Sequence, residues 1–231
     1  PYVWDSAQQE AHLQPDGAIE RLTLVQGDTR KDFAYIVPNR NECAACHVVD
    51  QRSDRLQPLG PTAGHLTRLF AHYPGGEQPQ LQYWQDHGLL TFPAVQQDAA
   101  TVTGKDTLNS KARAYLDINC GHCHQPGGSA DTSGLFLHAA AETGLSLGVC
   151  KPPVAAGRGT GGRRYSIVPG QPDESILLFR VQSREADVLM PELGRSLVHD
   201  EGAQLLRAWI AQMEGGCGPV TEMAAAGSDA L

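Results

Sequence analysis

Two copies of the pentapeptide Cys-x-x-Cys-His constrain this chain more than any other feature in it: Cys43-Ala44-Ala45-Cys46-His47 and Cys120-Gly121-His122-Cys123-His124. The pattern is the attachment sequence for a c-type haem. Two thiols at this spacing reach the two vinyl groups of one porphyrin, and the adjoining His sits under the iron as proximal ligand. A redox dithiol has no use for a His after the second Cys in both copies, and a four-cysteine zinc site would leave both histidines unexplained. The expectation is therefore two covalently attached haem c groups. Cys43 and Cys46 with His47 hold one; Cys120 and Cys123 with His124 hold the other.

A porphyrin replaces side chains in the interior of the module that wraps it. Hydrophobic residues make up 41% of the 231 and aromatic residues 6%, a lean core that fits this idea. The motifs are far enough apart for each to anchor its own module. Residues 1–100 are read as an N-terminal haem c module, atypical in its β-hairpin entry. Residues 101–231 are read as a class I-like cytochrome c module with a loose C-terminal tail. The predicted fold class is mainly α: two small c-type cytochrome modules, the second class I-like, with a short β-hairpin near the N-terminus.

The net charge of −8 disfavours nucleic acid or an anionic membrane surface as partner. It suits docking on a redox protein partner with a basic face. No run of 18 apolar residues occurs, so no membrane span is expected. Haem is attached to such motifs outside the cytoplasm, so the chain is expected to be periplasmic or otherwise exported, with a signal peptide removed before Pro1. Four cysteines are taken by haem. The remaining two, Cys150 and Cys217, form an even pair, and a disulfide between them is expected in an oxidising compartment.

Along the chain, Ile19 to Val25, a Gln26-Gly27-Asp28 turn and Phe33 to Val37 predict a β-hairpin leading to the first motif. Pro38 rules out a long helix running into Cys43. Leu66, Leu69, Phe70 and Tyr73 predict a helix ending at Pro74-Gly75-Gly76, and a second holds Leu81 and Trp84 and stops at Gly88. Residues 93–104 read as a linker. Leu108, Ala112, Tyr115 and Leu116 mark a helix entering Cys120. A closing helix, capped by Asp200, carries Leu205, Leu206, Trp209, Ile210 and Met213 and ends at Gly215-Gly216. These two helices are expected to cross.

Each iron has one further axial position. For the second haem the candidate is Met190, in a Met190-Pro191 step between the motif and the closing helix; a thioether favours ferrous iron. Met213 belongs to a core stripe and Met223 to the tail. No Met lies between His47 and Met190, so the first haem is expected to take His87, with His65, His72 or an open iron as alternatives. His87 comes first because it ends the second helix, where a distal loop would begin. His122 should face away from its haem, and His12, His138 and His199 have no supporting pattern. Gly60-Pro61 is a candidate to hold the Nδ1–H of His47 on a backbone carbonyl.

The chain resembles a family of bacterial dihaem c-type cytochromes, often described as conserved hypothetical haem proteins. The resemblance rests on Val37-Pro38-Asn39-Arg40-Asn41-Glu42-Cys43 through His47, Pro58-Leu59-Gly60-Pro61 and Gly88-Leu89-Leu90-Thr91. In the second half it rests on Asn119 to Gly128, Val168 to Leu177, Met190 to Gly194 and Leu205 to Ile210. That half is also similar to class I cytochrome c modules attached to bacterial oxidoreductases. The resemblance implies covalent haem, class I folding in at least one half, and electron transfer.

No nucleophile–base constellation or phosphate loop is present, so catalytic residues are not expected. The predicted function is a periplasmic dihaem c-type cytochrome that transfers electrons between redox partners, a carrier rather than an enzyme. The alternatives are a dihaem peroxidase-like enzyme with an open first haem, or a haem subunit of a larger oxidoreductase complex.

Overall fold

The computed structural model describes residues 1–48, 55–60, 66, 69–90 and 107–218. The chain opens with a small antiparallel pair, β1 (Tyr2–Trp4) and β2 (Ala11–Leu13), followed by a longer ribbon of β3 (Ala18–Gln26) and β4 (Thr29–Val37). The ribbon is the expected hairpin. Gly27, at φ +56°, opens its two-residue loop, where a left-handed residue matches the twist of the strands. Directly opposite pairs put Glu20 with Tyr35 and Leu22 with Phe33 on one face, and Ile19 with Ile36 on the other.

Helix α1 (Arg40–His47) carries the first motif within itself. Asn39 caps it: its Oδ1 accepts from the Asn41 and Glu42 amides while the Glu42 carboxylate accepts from the Asn39 amide. Such a reciprocal cap stabilises a helix end by about 1 kcal/mol and explains how a helix starts so soon after Pro38. Strands β5 (Leu69–Phe70) and β6 (Gln78–Pro79) pair antiparallel and lead into α2 (Gln80–Asp86). The helix expected through Leu69 and Phe70 is thus a strand at those residues, turned back by Gly75 and Gly76 at φ +98° and +99°. Gly88, at φ +67°, follows α2 as expected. The linker expected at 93–104 and the boundary near residue 100 lie outside the described residues.

Helix α3 (Leu108–Leu116), capped by Thr107, widens into a π-turn over Asp117–Gly121 that delivers Cys120. Turns and 3-10 segments then lead to α4 (Ile176–Gln182) and α5 (Asp200–Ala211). His199, not Asp200, occupies the cap position of α5. Helices α3 and α5 do cross. Gly202 lies under the Tyr115 ring, Leu116, Leu206, Trp209 and Ile210 are buried together, and Trp209 Nε1 donates to Asn109 Oδ1 at 2.9 Å. Cys150 and Cys217 are joined as a disulfide, tying the middle loop to the end of α5.

The fold-class expectation is corrected here. The described residues hold five short α-helices, with 31% of residues helical and 18% in strands forming small antiparallel pairs; this is not a mainly α pair of cytochrome modules. The reason is visible in the sequence. Residues 18–37 are rich in β-branched and aromatic residues around the Gly27-Asp28 loop and form a full ribbon, and the many glycines and prolines between the second motif and α4 break every helix longer than one turn.

The core is equally lopsided. It is built from Ala112, Leu116, Leu137, Leu147, Ile167, Leu178, Leu206 and Ile210 with their neighbours, each larger side chain contributing about 1.5–3 kcal/mol by burial. Among the described residues before 91, the buried hydrophobics are Val48 and Leu81. The described residues of the first half have almost no apolar interior of their own.

Candidate functional site

The two motif histidines are held in the same way. His47 Nδ1 lies 2.8 Å from the carbonyl of Gln57, and the Gln57 amide donates to the His47 carbonyl at 2.8 Å. His124 Nδ1 lies 3.1 Å from the Leu135 carbonyl, and the Leu137 amide donates to the His124 carbonyl at 2.8 Å. In each case the chain returns ten to thirteen residues later and clamps the His by both backbone and ring. A carbonyl can only accept, so Nδ1 carries the proton and Nε2 presents a lone pair. That is the tautomer a metal-ligating imidazole needs. The carbonyl on His47 comes from Gln57, before Pro58, and not from Gly60-Pro61.

The second motif is partly buried, with Gly121 fully so. Burial lowers the pKa of His124 and pushes the Cys120 thiol up to about 12. The clamp leaves no room behind the motif: a Cβ on Gly128 would lie 2.4 Å from the Cys123 carbonyl oxygen, and one on Gly121 would lie 2.9 Å from His138 Cα. Small residues are required at both positions.

Met190 sits in a segment fastened by two arginines that the sequence reading did not single out. The Met190 amide donates to the Arg180 carbonyl at 3.0 Å, and Arg180 Nε donates to the Val188 carbonyl at 2.9 Å. Arg195 donates to the carbonyls of Val181 (2.8 Å), Met190 and Ser183. Arg180 also pairs with Glu192, at 3.6 Å, and both charges act on the His124 ring. The Met190 segment therefore lies in the neighbourhood of His124. Two arginines flanking a Met-Pro step were the available signal.

The motifs face each other. The Sγ atoms of Cys46 and Cys123 and a ring nitrogen of His122 all lie within 4.8 Å of one another, and Cys123 Sγ is 3.7 Å from the Ala45 carbonyl. The hydrogen bond between the two thiols raises the pKa of Cys46 and lowers that of Cys123. The His122 ring faces the first motif, and its hydrogen bond to Cys123 raises its own pKa.

A cavity of about 1030 Å³ opens beside this contact. Leu59, Gly60, Leu66, Leu69, Phe70, Ala71, His72, Glu77 and Gln80 line it from the first half. Asp117, Ile118, Gly121, His122, Gln125 and His138 line it from the second. Its volume is at the upper end for sites that bury a large organic ligand. Leu59, Leu69, Phe70 and Ile118 turn exposed apolar surface to it (41, 54, 38 and 53% accessible). Such a patch marks a binding surface. The Nδ1 of His138, on the same wall, is buried without a hydrogen-bond partner among the described residues. At the motifs, two cysteine pairs, each followed by a histidine whose Nδ1 is held on a carbonyl, are the donor set a covalently attached porphyrin needs; none of these six residues lines the cavity.

The other candidates fall as follows. His72 lines the cavity, with its ring edge-on to Phe70 at 5.3 Å. His87 is exposed; its ring stacks on Tyr83 at 3.9 Å and its Nδ1 is bound to the Tyr83 carbonyl at 2.8 Å. His65 lies outside the described residues. His199 stands by Tyr115, and His12 is in β2. No helix among the described residues is long and apolar enough to cross a membrane. Comparison with family models, with curated proteins and with solved structures gives no match.

Proposed function

We propose that this chain is an exported dihaem c-type cytochrome that passes electrons between redox partners. The observation that carries the reading is the repeated clamp. Two Cys-x-x-Cys-His motifs of unrelated local structure, one inside an α-helix and one running out of a π-turn, end in histidines whose Nδ1 is fixed on a returning carbonyl. Haem held there supplies reversible one-electron exchange at iron. The residues around it do the rest. Cys43, Cys46, Cys120 and Cys123 bind covalently, His47 and His124 present Nε2, and Met190 offers a thioether to the second iron. Apolar residues exclude water, which limits reorganisation when charge moves.

The contact of Cys46 with Cys123 suits a relay, because it brings the two attachment points together. The Cys150–Cys217 disulfide suits an oxidising compartment outside the cytoplasm. The net charge of −8 suits a partner with a basic docking face.

A carrier needs both irons fully ligated by protein, whereas a peroxidase-like enzyme needs one open. Reduced protein exposed to carbon monoxide decides between them. An unchanged spectrum at both irons is expected; carbon monoxide binding at one iron of the native protein would favour the enzyme. A second reading, a haem subunit of a larger oxidoreductase complex, is favoured by the β3–β4 ribbon. Its Ile19 and Ile36 pair side by side at 70 and 60% exposure.

A further inference from the structure

We propose that, while the motif thiols are free, the junction of the two motifs binds a thiophilic d10 cation such as Zn2+, held by Cys46 Sγ, Cys123 Sγ and the His122 ring. The site belongs to the chain before haem is attached, and it does not rest on the dihaem reading.

Three donors from two distant segments converge here. The Sγ atoms of Cys46 and Cys123 and a ring nitrogen of His122 all lie within 4.8 Å of one another. Two thiolates and an imidazole are a ligand set that soft d10 cations take. Tetrahedral Zn2+ sits about 2.3 Å from sulfur and about 2.0–2.1 Å from imidazole nitrogen, so donors this close can meet on one ion by side-chain rotation. All three residues are half-buried, which leaves the ion a path from solvent. The fourth position falls to water. Among the described residues this is the one group of three metal-ligating side chains gathered so tightly; Cys43, His47, Cys120 and His124 stand outside it.

Each donor is held by its own backbone. Cys46 lies in α1, started by the Asn39 cap. The Cys123 amide donates to the Cys120 carbonyl at 3.2 Å, and the Cys123 carbonyl accepts from the Ala130 amide at 3.1 Å. The His122 carbonyl accepts from Gln125 Nε2 at 3.1 Å, and the His122 ring is hydrogen-bonded to the Ile118 carbonyl. A carbonyl on the ring is the outer contact that orients a metal-ligating imidazole. The two sulfurs already share a hydrogen bond, so α1 and the second motif are docked at ligand-sharing distance.

Binding is balanced by proton release: each thiol gives its proton to solvent as its sulfur coordinates, and the imidazole binds neutral. Haem attachment uses the same sulfurs. There each sulfur bonds to one vinyl carbon and the thiol hydrogen passes to the other, leaving a thioether with no proton to release. Cation and haem therefore exclude one another, and one ion withholds an attachment thiol from each motif at once.

The test uses the full-length chain prepared without haem, with Cys150–Cys217 closed, and Cd2+ as the probe because its sulfur charge-transfer band reports thiolate ligation. One Cd2+ per chain is expected, displaced by Zn2+. Cys46→Ser and Cys123→Ser should each weaken binding by about tenfold or more, and His122→Ala by about tenfold with the sulfur band retained. Cys43→Ser and Cys120→Ser should bind Cd2+ as the native chain does. A measurement on the native sequence stands beside these. Dibromobimane, which joins two neighbouring thiols, should link the Cys46 peptide to the Cys123 peptide, and saturating Zn2+ should block the link. Protein carrying both haems should lose this Cd2+ uptake, measured by metal analysis after gel filtration.

Unchanged Cd2+ affinity in Cys46→Ser or Cys123→Ser would overturn the site. So would an equal loss in Cys43→Ser or Cys120→Ser, which would place the ion inside single motifs, or a bimane link confined to one motif. Stoichiometric Cd2+ uptake that persists with both haems attached would do the same. A native chain lacking two haem masses would overturn the dihaem reading and leave this site standing.

Discussion

At the scale of single residues, the site depends on groups that hold ligands as much as on the ligands. Arg195 is the clearest case. Its guanidinium spans the carbonyls of Val181, Ser183 and Met190, so removing it leaves partly buried acceptors unpaired. Arg195→Ala should destabilise the protein by about 2–3 kcal/mol in urea unfolding. It should also weaken or abolish the near-infrared sulfur–iron band, because Met190 loses the anchor of its own carbonyl. A band of native intensity in Arg195→Ala would show that the Met190 segment is held by other means. The motif cysteines and histidines were legible because chemistry fixes their spacing. The carbonyls of Gln57 and Leu135 were not: main-chain atoms leave no mark on the sequence, and Gly60-Pro61 drew attention three residues too late.

At the scale of elements, the β3–β4 hairpin, α2 and the α3–α5 crossing could be read from periodicity, since one local pattern decided each. The segment at 69–70 could not. Leu66, Leu69, Phe70 and Tyr73 have helical spacing, yet two consecutive left-handed glycines fold Leu69–Phe70 back onto Gln78–Pro79, so the turn wins over a short apolar stripe. The start of α1 went unread, although Asn39-x-x-Glu42 right after Pro38 has the form of a capping box. Gly202 sets how closely α3 and α5 approach, because an added Cβ would lie 2.4 Å from the Tyr115 ring. Helix propensity alone favours Ala over Gly by about 1 kcal/mol. Gly202→Ala should nevertheless cost about 1–3 kcal/mol by overpacking, while Gly216→Ala, with nothing within 4 Å, should stay within about 0.5 kcal/mol. A more stable Gly202→Ala, measured by urea unfolding, would contradict the close crossing.

At the scale of the whole molecule, the second half has a side-chain core and a covalent tie, while the first half has an exposed ribbon, a clamped motif and one side of a large cavity. The expectation of a mainly α pair of modules failed because strands form small antiparallel pairs beyond the entry hairpin, at 2–13 and 69–79, and turns fill most of the stretch between the second motif and α4. The Cys150–Cys217 bond closes a loop over a separation of 67 residues, and replacing both cysteines with Ser should cost about 4 kcal/mol by the chain-entropy account. Urea unfolding of the double variant would measure it, and a change below about 1 kcal/mol would show that α5 holds that end unaided. The arrangement brings the two motifs together beside one large cavity. The direct test is the intact mass of the exported protein under denaturing conditions, followed by mapping of its peptides. The account predicts the polypeptide plus two haem masses, one on the Cys43–Cys46 peptide and one on the Cys120–Cys123 peptide. A mass with one haem or none would contradict it.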